Sequence, residues 1–285
     1  MSFYRVSNLV GNGLILLGTG LCASALLLFI GTTANAQQQG RRDTLREQVN
    51  PKQDEAADPW LGGIWQFGAF GGVESNPYRG ADSVDVDLLP LLAYDAERMH
   101  IGTDGVSVTA WKNDYASFSV IGNVRMKPFD NDDSNYLRGM NERDMAFEVG
   151  GAFKTRLWRG ELAAYHLMDV SDAHDGHELD LTYTIPMNLW DVTFDWGGGV
   201  LWQNDKLANY HVGVSGNEVR SDRSAYDADG AFIPHLDLSV TYPITESLVL
   251  LGTSGIQFLP DSYTDSPLID EDYVYSIGLG LVYNF

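Results

Sequence analysis

From Trp60 to the C-terminus, apolar and polar residues alternate with a period of two in long runs, and this one feature limits the chain to strands. In Val84–Asp95, Val84, Val86, Leu88, Pro90, Leu92 and Tyr94 fall on one face. In Asp144–Leu157, Met145, Phe147, Val149 and Phe153 oppose Ala146, Glu148, Lys154 and Arg156. At the end of the chain, Tyr273, Tyr275, Ile277, Leu279, Leu281 and Tyr283 oppose Ser276, Gly278, Gly280 and Asn284. A β-strand sends successive side chains to opposite faces, so each run has one apolar and one polar side. No segment after Trp60 offers a convincing amphipathic helix.

Soluble sandwiches also alternate, and three features separate this chain from them. Its runs exceed the usual 5–6 residues of a sandwich strand. Trp65, Tyr94, Trp190, Trp202, Tyr273 and Tyr283 stand near the ends of the apolar faces, where lipid interfaces collect aromatics. The opposite faces carry charges such as Glu148, Lys154 and Arg156, where a sandwich needs a dry core. The expected fold is all-β, a transmembrane antiparallel up-and-down β-barrel with a wet or networked interior.

Twelve strands are predicted, near 63–74, 84–95, 97–103, 106–112, 115–126, 144–157, 161–170, 178–187, 190–204, 231–242, 247–258 and 272–285. The third and fourth are short. Long connections (75–83, 127–143, 171–177, 205–230, 259–271) fall on one side. On the other lie tight turns at Ala96, Asn113-Asp114, Trp158-Arg159-Gly160, Asn188-Leu189 and 243–246. An even count with long loops on one side is the pattern of a bacterial outer-membrane barrel. The terminal Phe285 closes an alternating aromatic strand and is read as the signal for the outer-membrane assembly machinery. Leu181, Val192 and Leu279 are expected in lipid, with Thr182, Thr193 and Gly280 in the lumen and more tolerant of polar replacement.

Residues 1–36 are set apart from the fold. An apolar run from Leu14 to Ile30 precedes Ala34-Asn35-Ala36, a small-x-small signal-peptidase site before polar Gln37. The reading is a signal peptide exported through the Sec pathway and cleaved after Ala36; an uncleaved anchor is the alternative. The only cysteine, Cys22, lies inside it and follows Leu21, which does not suit a lipoprotein, so the mature chain has no cysteine. Residues 37–59 are polar, mixed in charge and free of aromatics, and are read as a flexible periplasmic tail before a barrel of residues 60–285. A net charge of −21 argues against nucleic acid as a partner.

Three ordered segments resemble a family. Asn76-Pro77-Tyr78-Arg79-Gly80-Ala81-Asp82 leads into Leu88-Leu89-Pro90-Leu91. Tyr210-His211-Val212-Gly213-Val214-Ser215 precedes Tyr226-Asp227-Ala228-Asp229-Gly230, and Asp265-Ser266-Pro267-Leu268-Ile269 precedes the last strand. These are similar to motifs of the MipA/OmpV family of outer-membrane proteins, with His211 and Val212 where that family prefers Tyr and Tyr-Gly. The resemblance implies a cell outer membrane location in a Gram-negative envelope. It also implies a non-enzymatic scaffold for peptidoglycan enzymes, with a lytic transglycosylase and a class A penicillin-binding protein as partners. A small channel or solute-binding barrel is the alternative reading, motivated by the polar lumen face.

Nothing in the residues themselves points to catalysis. Gly-x-Ser-x-Gly is absent, and none of the six histidines (His100, His166, His174, His177, His211, His235) lies in a nucleophile motif. His235 alternates with Asp237 and Ser239 and can converge on Asp180 or Ser276, which reads as a lumen hydrogen-bond network. No cofactor is expected. His174, Asp175 and His177 form the best metal candidate, although a rim loop needs such residues for solvation alone. Residues 130–135 begin like a calcium loop but lack Gly at the sixth position and Glu at the twelfth, so a solvated turn is the reading. The acids of 205–230 and 259–272 should face the phosphates of lipopolysaccharide, with divalent cations as a diffuse bridge.

Overall fold

The computed structural model describes residues 58–285. Ala34, Ala36, the signal peptide and nearly all of the tail lie outside the described residues. Twelve strands follow in order: β1 (Ile64–Ser75), β2 (Val84–Asp95), β3 (Met99–Gly102), β4 (Gly105–Lys112), β5 (Ala116–Arg125), β6 (Ala146–Leu157), β7 (Gly160–Asp169), β8 (His177–Leu189), β9 (Val192–Gln203), β10 (Ala231–Pro243), β11 (Leu248–Phe258) and β12 (Tyr273–Asn284). Each pairs antiparallel with its sequence neighbours, and β12 closes onto β1, with Gly71 opposite Leu279. Closure pairs the first strand with the last and so removes the terminal edges of the sheet, which hydrocarbon disfavours because it offers no water to hydrogen-bond them.

The pleat sorts the side chains as the alternation requires. Leu279 is 60% exposed on the outside while its neighbours Gly278 and Gly280 are buried. Leu181 faces out as well, and the Thr182 hydroxyl turns in to donate to Asp180 Oδ1 at 3.0 Å. Gly280 is a special lumen position. Phe70 of β1 points inward and lies flat against β12, so an added Cβ on Gly280 would meet Phe70 Cδ2 at 2.7 Å, and one on Gly278 would meet Phe70 Cζ at 2.2 Å. The expectation that Gly280 tolerates polar replacement is therefore corrected. Its missing side chain makes room for an aromatic ring.

The tight turns differ from expectation at several places. Asn188 and Leu189 continue β8, pairing with Thr193 and Val192, and the turn is Trp190-Asp191. The β6–β7 hairpin has the same two-residue form, with Leu157 opposite Gly160 around Trp158-Arg159. Such turns require a positive φ, and Trp158 (55°) and Trp190 (54°) supply it in place of the usual Asn or Gly.

The outer connections fold inward. Residues 204–230 contain a two-turn helix α1 (Asp205–Val212), and 259–272 contain a single turn α2 (Asp261–Thr264). The absence of an amphipathic helix after Trp60 is thus overturned. In α1 the buried residues are Leu207, Ala208, Tyr210, His211 and Val212. A tyrosine and a histidine share the buried side, so the segment shows no clean apolar stripe in sequence.

The interior, expected to be wet or networked, is apolar where this cap packs onto the wall. Tyr78, Phe129, Leu137, Met140, Val212, Val214, Tyr263 and Leu268 from the loops pack onto wall residues. Those wall residues come from β5 (Ile121), β6 (Ala152), β7 (Tyr165, Leu167), β9 (Leu201), β10 (Ile233) and β12 (Val274). The cluster joins the loops to six of the twelve strands at the outer end of the barrel. Leu137, Leu207, Val212 and Leu268 are each fully buried. Each stabilises the closed cap by about 1.5–3 kcal/mol relative to exposure.

Candidate functional site

Directly beneath the cap sits a buried charge. Arg125, the last residue of β5, donates from Nε to Glu148 Oε1 of β6 at 2.8 Å and from Nη2 to Glu178 Oε2 of β8 at 3.0 Å. Gln203 of β9 donates to the same Glu178 oxygen at 2.8 Å, and its own carbonyl accepts the hydroxyl of Tyr263 from α2. His174 Nε2 lies 3.3 Å from Glu148 Oε1. All six side chains are buried. Four wall strands and two outer connections therefore converge on one guanidinium, whose fixed planar fork suits two carboxylates at once.

The cap is knit by side chains on backbone carbonyls. A helix leaves its last carbonyls without partners, and burial makes that costly. For α1 they are satisfied from three other connections. Arg143 donates to Tyr210 O at 3.1 Å and to Gly213 O at 3.2 Å, Tyr78 to His211 O at 3.2 Å, and Ser266 to Val212 O at 2.6 Å. The Arg143 charge also complements the negative end of the helix. At the other end the side-chain Oδ1 of Asn204 accepts from Leu207 N at 3.1 Å and from His177 N at 3.0 Å, tying helix to wall.

Glu218 anchors the rest. Burial pushes its carboxyl up, but Ser215 Oγ and N–H, Asn141 N–H and Arg143 together hold it below the usual range. Arg223 donates to Glu218 O at 2.7 Å, and Arg220 donates to Asn135 O and Arg138 O. His211 is different. It is fully buried between Tyr210 and Tyr263, with no hydrogen-bond partner for either ring nitrogen among the described residues. Burial first, then the charges of Arg125, His174 and Arg143, hold it well below the ordinary imidazole value, so the ring is neutral.

Deeper in the lumen two histidines each lie between two carboxylates. His235 contacts Asp237 Oδ2 at 2.7 Å and Asp180 Oδ1 at 3.1 Å, the convergence that the sequence suggested; Ser276 is not part of it. His100 contacts Asp95 Oδ1 at 2.6 Å and Asp104 Oδ1 at 2.8 Å, a cluster sequence reasoning missed. Its signal was an acid–His–acid spacing across one short hairpin. With carboxylates on both ring nitrogens, neither imidazole is arranged as a general base for a nucleophile. Both act as ties between strands.

The metal candidates separate. His174 turns in to Glu148, Asp175 lies 3.4 Å from Lys206 Nζ, and His177 stacks on His166 with ring centroids 5.6 Å apart. They form no common ligand set. The one close group of acids among the described residues is Asp130, Asp132 and Asp133 in the β5–β6 connection, an exposed to half-buried loop cluster. In the acidic 259–272 segment, Asp270 is paired with Arg79 Nε at 2.7 Å. At the inner rim, Phe285 packs edge-on against Phe67 and Tyr283, and its N–H donates to Trp65 O at 2.9 Å.

Closed wall, lipid-facing belt and plugged outer mouth together define a membrane-spanning β-barrel whose extracellular loops form a structured cap. The chain belongs to the family described as MltA-interacting protein MipA, whose sequence profile matches residues 67–285. Among curated relatives, the MltA-interacting protein of Escherichia coli (strain K12) is 27% identical over 237 residues, covering 78% of this chain and 91% of that protein. Outer membrane protein OmpV of Vibrio cholerae is 26% identical over 157 residues, covering 55% of this chain and 61% of that protein. Of solved structures, the NanC porin aligns over 77% of this chain and all of its own, at 9% identity and a TM-score of 0.39. The segments that carry the family resemblance all meet in the cap. Tyr78 bridges to Ile269, Val214 pairs with Tyr226, and Ser266 reaches Val212.

Proposed function

We propose that this outer-membrane barrel is a non-conducting, non-enzymatic scaffold for murein-cleaving and murein-synthesising enzymes. Its partners on the periplasmic side are a lytic transglycosylase and a class A penicillin-binding protein. One observation carries the reading: loop side chains and inward residues of β5, β6, β7, β9, β10 and β12 form one apolar cluster at the outer mouth, which narrows the path that water and solutes would take. The name of the relative, MltA-interacting protein, supports the partner class. The inner rim supports the side of engagement. Trp158 and Trp190 stand on the tips of two inner hairpins, 84% and 89% exposed, and large aromatics of this kind anchor protein interfaces.

Export runs through the Sec pathway with cleavage after Ala36, and Phe285 is what the assembly machinery reads. The competing reading, a small channel or solute-binding barrel, draws on the polar residues below the cap, Asp180, His235 and Asp237. Two measurements on the purified mature protein separate them. In planar bilayers the scaffold gives no steady current, and a reproducible unitary conductance would exclude it. In cells, site-specific photocrosslinkers at positions 158 and 190 capture murein enzymes. Trp158→Ala with Trp190→Ala lowers capture by crosslinkers on the neighbouring turns; unchanged capture would remove the inner rim from the interface.

A further inference from the structure

The barrel wall is not equally tall all round. β2 has 12 residues and β3 has 4, so at about 3.3 Å per residue and a tilt of about 40° β2 rises about 30 Å and β3 about 10 Å. β3 pairs with β2 at Ala93, Tyr94 and Asp95, Thr103 extends the contact to Leu92 O at 2.9 Å and Pro90 O at 3.3 Å, and β4 meets β5 as far up as Val106 opposite Gly122. The β3–β4 hairpin turns back at Thr103-Asp104, low in the wall. Above it, a notch separates the outer part of β2 from the last residues of β5. Leu88 of β2, 79% exposed, stands beside this notch and is more open than Leu279 on the unbroken belt.

A cavity of about 290 Å³ occupies the β5–β6 bank of the notch. Its lining includes Val106, Gly122, Val124 and Phe147, which face lipid, and also Asn123 and Glu148, which face the lumen. Residues from both faces of one strand line a single cavity only where the wall has an edge. The surface is mostly apolar, and the Glu148 carboxylate is turned away into its ion pair with Arg125. Water gains little from such a surface, whereas hydrocarbon already lies against its outer lip.

We propose that the notch is a binding site for one acyl chain of an outer-leaflet lipid, which descends along β5 and ends on the Gly102–Gly105 turn. The headgroup stays at the outer interface, and the chain fills the cavity between Val106 and Phe147. A polypeptide strand added to β2 is the competing occupant. In that position every second residue must face hydrocarbon. Residues 37–57 of this chain offer only Leu45, Val49, Ala56 and Ala57 for that purpose, so they do not suit it.

The test uses the mature protein in vesicles containing phosphatidylethanolamine with a diazirine near the end of one palmitoyl chain. After irradiation, adducts are mapped by peptide mass spectrometry. The site predicts yields on 102–106 and 122–126 several-fold above those at Leu181 and Leu279, which report belt lipid. Gly122→Leu, whose Cβ would come within 2.9 Å of Val106 Cγ2 and whose side chain fills the cavity, should bring them down to belt level with heat-modified mobility unchanged. Even labelling around the belt of the unmodified protein would overturn the proposal whether or not the variant folds, as would undiminished labelling in Gly122→Leu. Crosslinks from a photoreactive residue at Leu88 to a polypeptide, with 122–126 unlabelled, would assign the notch to a protein strand instead.

Discussion

Replacing Arg125 with methionine keeps much of the side-chain length and removes a guanidinium held by two carboxylates. Arg125, Glu148 and Glu178 are all essentially inaccessible to solvent, so water cannot take over for the lost charge. Breaking a buried pair by deleting one partner costs about 3–5 kcal/mol, because the desolvated opposite charge stays behind. Here two carboxylates lose the same cation, which places Arg125→Met at the upper end of that range. Neutralising all three positions (Arg125→Met, Glu148→Gln, Glu178→Gln) should recover most of the loss, since replacing a buried ion network by uncharged groups is often close to neutral. Urea unfolding of the vesicle-inserted barrel, followed by tryptophan fluorescence and heat-modified mobility, measures both variants. Protease cleavage within 204–230 should rise in the single variant, because Gln203 and Glu178 connect the network to Tyr263 of the cap. An unfolding midpoint for Arg125→Met equal to that of the unmodified protein would refute the reasoning, and so would a triple variant no more stable than the single one.

Leu279→Arg should cost about 2–4 kcal/mol in the same unfolding assay, the range for Arg at the bilayer midplane, while the inward Thr182→Ser stays under about 1 kcal/mol. Deleting Phe285 removes its ring contacts with Phe67 and Tyr283 and should shift protein from the outer membrane to periplasmic precursor, measured by fractionation. Cap stability should also fall in acid. His211 titrates below its ordinary value in the folded state, so the unfolded chain binds the extra proton first. The contribution is complete above the unfolded value, near 6.5, and is lost as pH falls below it, by at most about 1.4 kcal/mol per pH unit for one proton. Proteolysis of 204–230 should therefore be faster at pH 5 than at pH 7.5, and His211→Phe should flatten the difference. An equal acid response in that variant would assign the effect to other groups.

Twelve strands, most of their boundaries and the lipid-facing register were legible in the sequence, because strand pleating is local and the two solvents on either side of the wall impose opposite chemistry on alternate residues. His235, Asp237 and Asp180 were legible for the same reason, each standing at an inward position of its strand. The cap was not. Asp205–Val212 is too short and too polar to announce a helix, and it forms because Arg143, Tyr78 and Ser266 arrive from distant connections to hold its terminal carbonyls. Nor was the Arg125 centre, whose partners lie 23 and 53 residues along the chain. The placement of His174, Asp175 and His177 was not legible for the same reason, since packing turns these loop neighbours towards Glu148, Lys206 and His166 respectively. Period-two patterning tells each residue which side of the wall it takes. Which residues meet inside the barrel depends on its closure and on loops folding back through the mouth, and those contacts are fixed only by the tertiary structure.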